Sequence, residues 1–310
     1  MKRLLSCFVS LFALTITLVA SGCEKGNAST GWPKEIHYAY SPSAETLQGA
    51  TTHTEQMRRY LESQLHIPVD LVQVSQYAAT IEAMRADKVD IAHFGGLSYL
   101  IAAQKAAAQA IVSRGYAGGR LAGYRSLIAV PKNSSIHSIQ DLKAHAKSLV
   151  FAFADPASTS GNLYPRVGLL SLGIDPERDF KQVLYANGHL ADLMAIRSGK
   201  VDAGAFDELY MTRLIAKGRM KPDEVRVLWT SDLIPAEPIA VRGSLPEQLK
   251  KEIQQAYLDM RKRDPELWNE LNQSAYATYP GSTYIPVTDA TYDGLRHYAL
   301  QVKQFNFLEK

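Results

Sequence analysis

Two segments of this chain, YAATIEAMRADKVDIAHF at 77–94 and HLADLMAIRSGKVDAGAF at 189–206, align without a gap. Seven of the 18 positions are identical: Ala79/Ala191, Ala83/Ala195, Arg85/Arg197, Lys88/Lys200, Val89/Val201, Asp90/Asp202 and Phe94/Phe206. Each reads as a helix, a tight turn and a strand. The offset of 112 residues is too long for a solenoid, whose repeats run about 20–50 residues. It suits two similar α/β lobes, against the plainer reading of two units alike by chance. A second echo joins SLIAVPKNSS (126–135) to PIAVRGSLP (238–246): both carry Ile-Ala-Val, then a turn and a helix start. These read as the two crossings between lobes. The expected division is 33–127 plus 240–310 for one lobe and 131–235 for the other, with a hinge near 128–131 and 236–240.

The rest of the chain alternates in the same way. Strands are predicted at 36–40, 69–74, 89–94, 110–113, 126–130, 149–153, 183–185, 201–206, 225–230 and 239–241. Helices are predicted at 46–65, 77–86, 97–107, 138–145, 189–198 and 245–263. Such alternation argues for α/β layers with largely parallel sheets. In open sheets of this kind ligands bind beyond the carboxyl ends of the strands. The residues after Tyr40, Phe94, Val130, Phe153 and Phe206 are therefore expected to converge on a cleft.

The first residues read as an address, not as fold. Lys2 and Arg3 precede an apolar run at 4–20 that Ser6, Ser10, Thr15 and Thr17 interrupt. The run is too short and too broken for a spanning helix. Ala20-Ser21-Gly22 then leads into Cys23. The pattern predicts a secretory signal peptide over 1–22. It resembles a bacterial lipoprotein signal, with Ala20 where a leucine is usual, which implies lipidation of Cys23, a tether over 23–32 and a membrane-anchored protein of the periplasm or cell envelope. The only other cysteine is Cys7, so a processed chain has no disulfide, no thiolate nucleophile and no thiolate metal site. Processing also removes Lys2 and Arg3, leaving 32 basic against 31 acidic residues, a net of +1. That balance carries no nucleic-acid footprint.

The residues richest in chemistry follow the apolar run at 149–153. Asp155-Pro156 stops that run, and Ser158, Thr159, Ser160 and Gly161 then open a helix. A helix start offers unsatisfied N–H groups and partial positive charge, and binds anions without a lysine. Hydroxyls add donors, and a glycine lets backbone come close. One hydroxyl suffices for an N-cap, and here there are three. Asp207, after the second Lys-Val-Asp strand, reads both as the N-cap of DELYMTRL and as a carboxylate near the ligand. In the second role it repels a bare anion unless it accepts a proton from the ligand or pairs with a ligand cation. Gly95 holds the corresponding place in the other lobe.

Taken together, DPASTSGNLYPR (155–166), GIDPERDFKQVLYANGH (173–189), GKVDAGAFDE (199–208), FGGLSY (94–99) and GYRSLIAV (123–130) resemble the periplasmic phosphonate-binding proteins of bacterial ABC importers. The resemblance runs from about residue 36 to 300. It implies the two-lobed α/β periplasmic-binding fold of the second class, its lobes joined by a two-crossing hinge and closing on a small phosphorus oxyanion, a phosphonate or phosphite. It implies ligand contacts from Ser158, Thr159, Ser160, Ser126, Asp207 and Tyr40. It also implies docking on importer membrane subunits, and neither cofactor, metal nor catalysis. A monomer is the default expectation.

Weaker candidates are Phe94 and Tyr99, as pocket wall or core; Arg125, as lobe surface, hinge or contact; and His189, as cap or contact. His93 reads as a packed histidine. Two rivals share the fold: a receptor for a thiamine precursor or another oxyanion, and a periplasmic sensor component. An enzyme with Ser158 or Ser160 as nucleophile needs a positioned base, and the sequence shows none. For the leader, Cys23→Ser is expected to yield unprocessed or unanchored protein. Intact mass of the membrane fraction checks this: wild-type protein without a diacylglycerol increment refutes lipidation.

Overall fold

The computed structural model describes residues 31–39, 50–74, 76–273, 279 and 281–309. Cys23 and Tyr40 lie outside them. Among the described residues the strands are β1 (Ile36–Ala39), β2 (Val69–Val72), β3 (Ile91–His93), β4 (Gln109–Gly115), β5 (Gly123–Tyr124), β6 (Ser126–Pro131), β7 (Val150–Phe153), β8 (Gln182–Tyr185), β9 (Ala203–Asp207), β10 (Val225–Thr230), β11 (Ile234–Pro235), β12 (Pro238–Val241) and β13 (Thr283–Pro286). The α-helices are α1 (Ala50–Leu65), α2 (Tyr77–Arg85), α3 (Gly96–Ala106), α4 (Ile139–His145), α5 (Tyr164–Ser171), α6 (Pro176–Asp179), α7 (His189–Arg197), α8 (Glu208–Ala216), α9 (Glu247–Arg263), α10 (Pro265–Gln273) and α11 (Asp293–Ala299).

The repeated segments fold alike, hydrogen bond for hydrogen bond. Each helix ends in a left-handed residue, Asp87 at φ 57° and Gly199 at φ 70°, a conformation that glycine adopts freely and aspartate tolerates. Lys88 N–H then reaches Ala83 O at 2.8 Å, and Lys200 N–H reaches Ala195 O at 2.9 Å. The shared aspartate ties the turn to the lobe's central strand. Asp90 Oδ2 accepts His37 N–H of β1 at 2.9 Å, and Asp202 Oδ2 accepts Val150 N–H of β7 at 2.7 Å.

Strand order follows from this duplication. One sheet runs β13-β4-β12-β3-β1-β2 and the other β10-β6-β9-β7-β8. β1 pairs in parallel with β2 and β3, as β7 does with β8 and β9. The Ile-Ala-Val echoes supply matching antiparallel neighbours. Ile239 and Ala240 face His93 and Ala92; Ile128 and Ala129 face Ala205 and Gly204. The sheets are therefore mixed, not largely parallel as periodicity suggested. A strand entering from a crossing runs against those built by local helix crossovers. The expected hinge segment 128–131 lies inside β6. Between the sheets, β5 and β11 form a two-stranded antiparallel ribbon that periodicity did not predict.

Alternation along the central strands fills a core on both faces of each sheet. Ile36 and Tyr38 of β1 pack with Leu61 of α1 and Leu249, Ile253 and Tyr257 of α9. Ala39 faces Tyr77, Ile81 and Met84 of α2 and Leu97 and Leu100 of α3. In the second lobe Phe151 and Phe153 pack with Leu142 and Leu169, while Ala152 faces Leu193 and Ile196. The small residues of β3 and β9 let α2, α3, α7 and α8 sit close, which brings the strand ends and helix starts of both lobes together.

The two repeat aspartates differ in what they hold. Asp90 is 2% exposed and also takes Arg242 Nη2 at 2.7 Å and Nε at 3.0 Å. Asp202 is half-buried. Asp90→Ala leaves Arg242 with only Asp87 and Ser244 and removes the acceptor of His37 N–H, so a loss of about 3 kcal/mol is expected from charge-assisted hydrogen bonds. Asp202→Ala loses chiefly one hydrogen bond, worth about 1 kcal/mol. Chemical denaturation of both variants checks the difference; equal losses contradict it.

Candidate functional site

The chain after β7 turns sharply and enters a helix through a wide first turn. Asp155 Oδ1 accepts Ala157 N–H at 2.8 Å and shapes the turn. Residues Thr159–Leu163 form a single π turn ahead of α5, closed by Leu163 N–H on Ser158 O at 3.1 Å. Such turns carry an extra residue per turn and recur at functional sites. Ser158 caps it: its Oγ accepts Gly161 N–H at 2.9 Å. The Ser158 Oγ also lies 3.2 Å from Nε2 of His189, the first residue of α7. Gly161 is needed by the protein itself, since a Cβ there would lie 2.3 Å from Ala154 Cβ and 2.9 Å from His189 Cε1.

The helix starts of the two lobes meet at Thr159. Its Oγ1 accepts Leu97 N–H, in the first turn of α3, at 2.8 Å. The repeat explains why. In the second lobe the equivalent helix α8 is capped by its own Asp207, whose Oδ1 accepts Leu209 N–H at 2.7 Å. The matching position in the first lobe is Gly95, which has no side chain to cap with. A Cβ on Gly95 would sit 3.6 Å from Thr159 Oγ1 and 3.5 Å from Tyr77, so Tyr77 also borders this place.

Beside it lies a cluster of polar groups drawn out of water. Asp207 is 5% exposed, and burial pushes its carboxyl up to about 7. Glu237, on the chain just before β12, is pushed up to about 8 by burial and then by the charge on Asp207. His93 Nε2 lies 3.3 Å from Glu237 Oε2; burial holds His93 down to about 4 and His189 down to about 3, and the charge of Arg213 adds to both. Burial followed by the two carboxyls raises Tyr124 and, among their causes, Tyr210 and Tyr279. The Tyr210 and Tyr279 hydroxyls have no partner among the described residues. The Tyr210 ring stacks on His189 with centroids 5.4 Å apart. No group of three or more His, Cys, Asp or Glu among the described residues is arranged to hold a metal ion.

Ser158, Thr159, Ser160, Ser126, Asp207 and His189 therefore come together. The Ser126 hydroxyl donates to Ser160 O at 2.6 Å and so braces the π turn. Tyr99 lies in the core. It is fully buried, donates to Asp289 at 2.9 Å and packs on Tyr292. Phe94 is likewise a core side chain of the first lobe. Arg125 Nη1 holds Ser231 O next to the β5–β11 ribbon. Sequence reasoning missed Tyr77, Arg213 and Glu237. The available signal was an acid between two prolines in LIPAEPIAV, and the i, i+3 placement of Tyr210 and Arg213 behind Asp207.

Over residues 41–292 the chain matches the family described as ABC transporter, phosphonate, periplasmic substrate-binding protein. It belongs to this family. Curated relatives include the phosphate-import protein PhnD of Mycolicibacterium smegmatis, 30% identical over 93% of this chain and 94% of that protein. The phosphonates-binding periplasmic protein of Escherichia coli is also 30% identical, over 89% of this chain and 79% of the relative. Among solved structures, a binding protein component of an ABC phosphonate transporter from Pseudomonas aeruginosa superposes with a TM-score of 0.77 at 28% identity, covering 88% of this chain and 87% of that one. PhnD1 of Prochlorococcus marinus, solved with methylphosphonate, shares the fold with a TM-score of 0.74 at 22% identity, covering 87% of this chain and 99% of that one. The chain is thus a periplasmic solute-binding component of an ABC phosphonate transporter, and its two sheet-rich lobes are those of this receptor fold.

This cluster predicts a pH dependence of the ligand-free protein. A raised carboxyl binds more protons folded than unfolded, so its stabilising part is full below about 4 and is lost as pH rises through the folded values near 7 and 8. The depressed histidines act below their ordinary value of 6.5, losing stability as pH falls towards about 4 and 3. Between about 6.5 and 8 the carboxyls dominate. The melting temperature is expected to fall across that window, and Glu237→Gln is expected to flatten the fall. A flat wild-type profile contradicts the raised carboxyls.

Proposed function

We propose that the chain captures an alkyl- or aminoalkylphosphonate, or phosphite, between its lobes and delivers it to importer membrane subunits while tethered through lipidated Cys23. The carrying observation is the meeting of two helix starts at Thr159, with Ser158 and Ser160 beside it. An anion placed there takes N–H groups and hydroxyls from both lobes, which favours the closed form by population shift. Ser160 and Thr159 donate their hydroxyl protons, Ser126 supports the turn, and Tyr40 and Tyr77 border the ligand. The β5–β11 ribbon, where the chain passes twice between the sheets, is the proposed hinge.

Charge selects within the phosphorus oxyanions. The hydroxyl cradle is uncharged, and Asp207 and Glu237 stand beside it. A fully deprotonated dianion meets repulsion there, whereas a protonated phosphonate or an amine-bearing one does not. This favours a phosphonate over phosphate, although relatives of equal identity carry both names. The same geometry argues against catalysis by Ser158. His189 Nδ1 already accepts Asp207 N–H at 3.2 Å, so the ring meets Ser158 through its protonated nitrogen and cannot act as its base.

A thermal-shift panel of methylphosphonate, 2-aminoethylphosphonate, phosphite, phosphate, sulfate and a thiamine precursor tests the assignment. A ligand at about 100 times its Kd stabilises the fold by about 2.7 kcal/mol. Thr159→Ala or Ser160→Ala is expected to weaken phosphonate binding about tenfold or more by calorimetry. Asp207→Asn is expected to relax discrimination against phosphate. Stabilisation by sulfate or the thiamine precursor, with no phosphorus compound active, overturns the ligand assignment.

A further inference from the structure

Helix α5 serves two cores at once. Its Leu169 packs with Phe151 and Phe153 in the second lobe. Leu163, just before the helix, and Tyr164 and Val167 within it belong instead to the core of the first lobe, with Leu97 of α3 and Leu295 and Ala299 of α11. All three are buried. The spacing explains the split: positions 163, 164 and 167 share one helix face, and position 169 lies opposite.

The strip ends in a ring pair. Tyr164 stacks on Tyr298 of α11, with centroids 4.2 Å apart and planes inclined by 21°. Tyr164 is buried and Tyr298 half-buried. Such pairs contribute beyond the area they bury. Helix α11 moves with α3, because Leu295 lies against Gly96: a Cβ on that glycine would come within 2.5 Å of Leu295 Cδ2. Tyr164 moves with Thr159, since the turn Thr159–Leu163 leads straight into α5. Separation of Leu97 N–H from Thr159 Oγ1 therefore also parts the two rings.

We propose that Tyr164 and Tyr298 form a latch that favours the closed arrangement of the lobes before any anion enters, and that Tyr298 thereby sets affinity without touching the ligand. The apolar strip is a property of the protein alone. Its burial draws α5 and α11 together whatever the hydroxyl cradle holds. A receptor whose binding-competent form is scarcely populated loses apparent affinity in proportion to that fraction. The latch reduces this loss. It also slows release, because the rings must part for α3 to leave Thr159. Ligand choice stays with the hydroxyls and carboxyls, so affinity and selectivity rest on different residues.

The proposal rests on closure of the lobes over an anion, and its first test needs no ligand. Leu97 N–H is held by Thr159 across the lobes, so its hydrogen exchange reads opening. Lys88 N–H, bonded within the first lobe to Ala83 O, serves as control. In exchange followed by NMR on the ligand-free full chain, Tyr298→Ala is expected to speed exchange at Leu97 about tenfold and to leave Lys88 unchanged. Unchanged exchange at Leu97 overturns the latch. Equal acceleration at both amides also overturns it, because the variant has then loosened a lobe instead of opening the cleft. Calorimetry and stopped-flow measurements with methylphosphonate follow. Tyr298→Ala is expected to bind about tenfold more weakly, chiefly through faster release; unaltered affinity refutes the proposal. Tyr298→Phe, which keeps the ring, is expected to match the wild type in every measurement, and a loss equal to that of Tyr298→Ala rules the stack out as the cause. A wild-type protein that binds no methylphosphonate counts against the ligand assignment, while exchange at Leu97 still decides the latch.

Discussion

The Leu97 N–H to Thr159 hydroxyl hydrogen bond joins a helix start of one lobe to that of the other. Each helix start carries unsatisfied donors and partial positive charge. Two such starts repel unless an acceptor stands between them. One lobe meets this need locally, with Asp207 as its own cap. The other cannot, because the equivalent position is Gly95, and it takes its acceptor from the opposite lobe. That asymmetry in a duplicated framework concentrates donors at one point. Under the proposed function, an anion that enters there finds a place the fold has already arranged.

Burial gives the neighbouring groups their character. Asp207, Glu237, His93 and His189 are all withdrawn from water, and desolvation opposes charge on each of them. Carboxyls are pushed towards the acid form and imidazoles towards the neutral form. The site is therefore built from dipoles and shared protons. Among the described residues, the positive charge that acts on all four is that of Arg213. Dipoles reward an anion of modest charge and reward a dianion less, given two carboxyls beside it. Under the proposed function, such a site selects by protonation state as well as by shape.

Much of the framework was legible in residue spacing. The repeated helix–turn–strand unit named its own turn, since Asp87 and Gly199 fall where a left-handed residue is required. The shared Asp90 and Asp202 proved to be backbone ties, which a local pattern can announce because their partners recur with the pattern. The Ser158–Gly161 helix start was also visible, because caps are local chemistry. Sheet direction was not: β6 and β12 arrive from the crossings and run antiparallel, a matter of global path that periodicity does not carry. Glu237 and Arg213 were missed for a related reason. Each looks like an ordinary polar residue until the two lobes bury it.

Two α/β lobes, a helix start rich in hydroxyls, and an acid at the end of the second repeat follow from residue order alone. Those properties depend on neighbours a few residues away. Only the tertiary structure decided what each hydroxyl does. Ser126 braces Ser160, Thr159 caps a helix in the other lobe, and Ser158 caps its own π turn within reach of His189. A hydroxyl is at once donor and acceptor, so its residue type leaves its role open. That role is set by the groups that reach it first, and these come from segments 31 to 62 residues away in the chain.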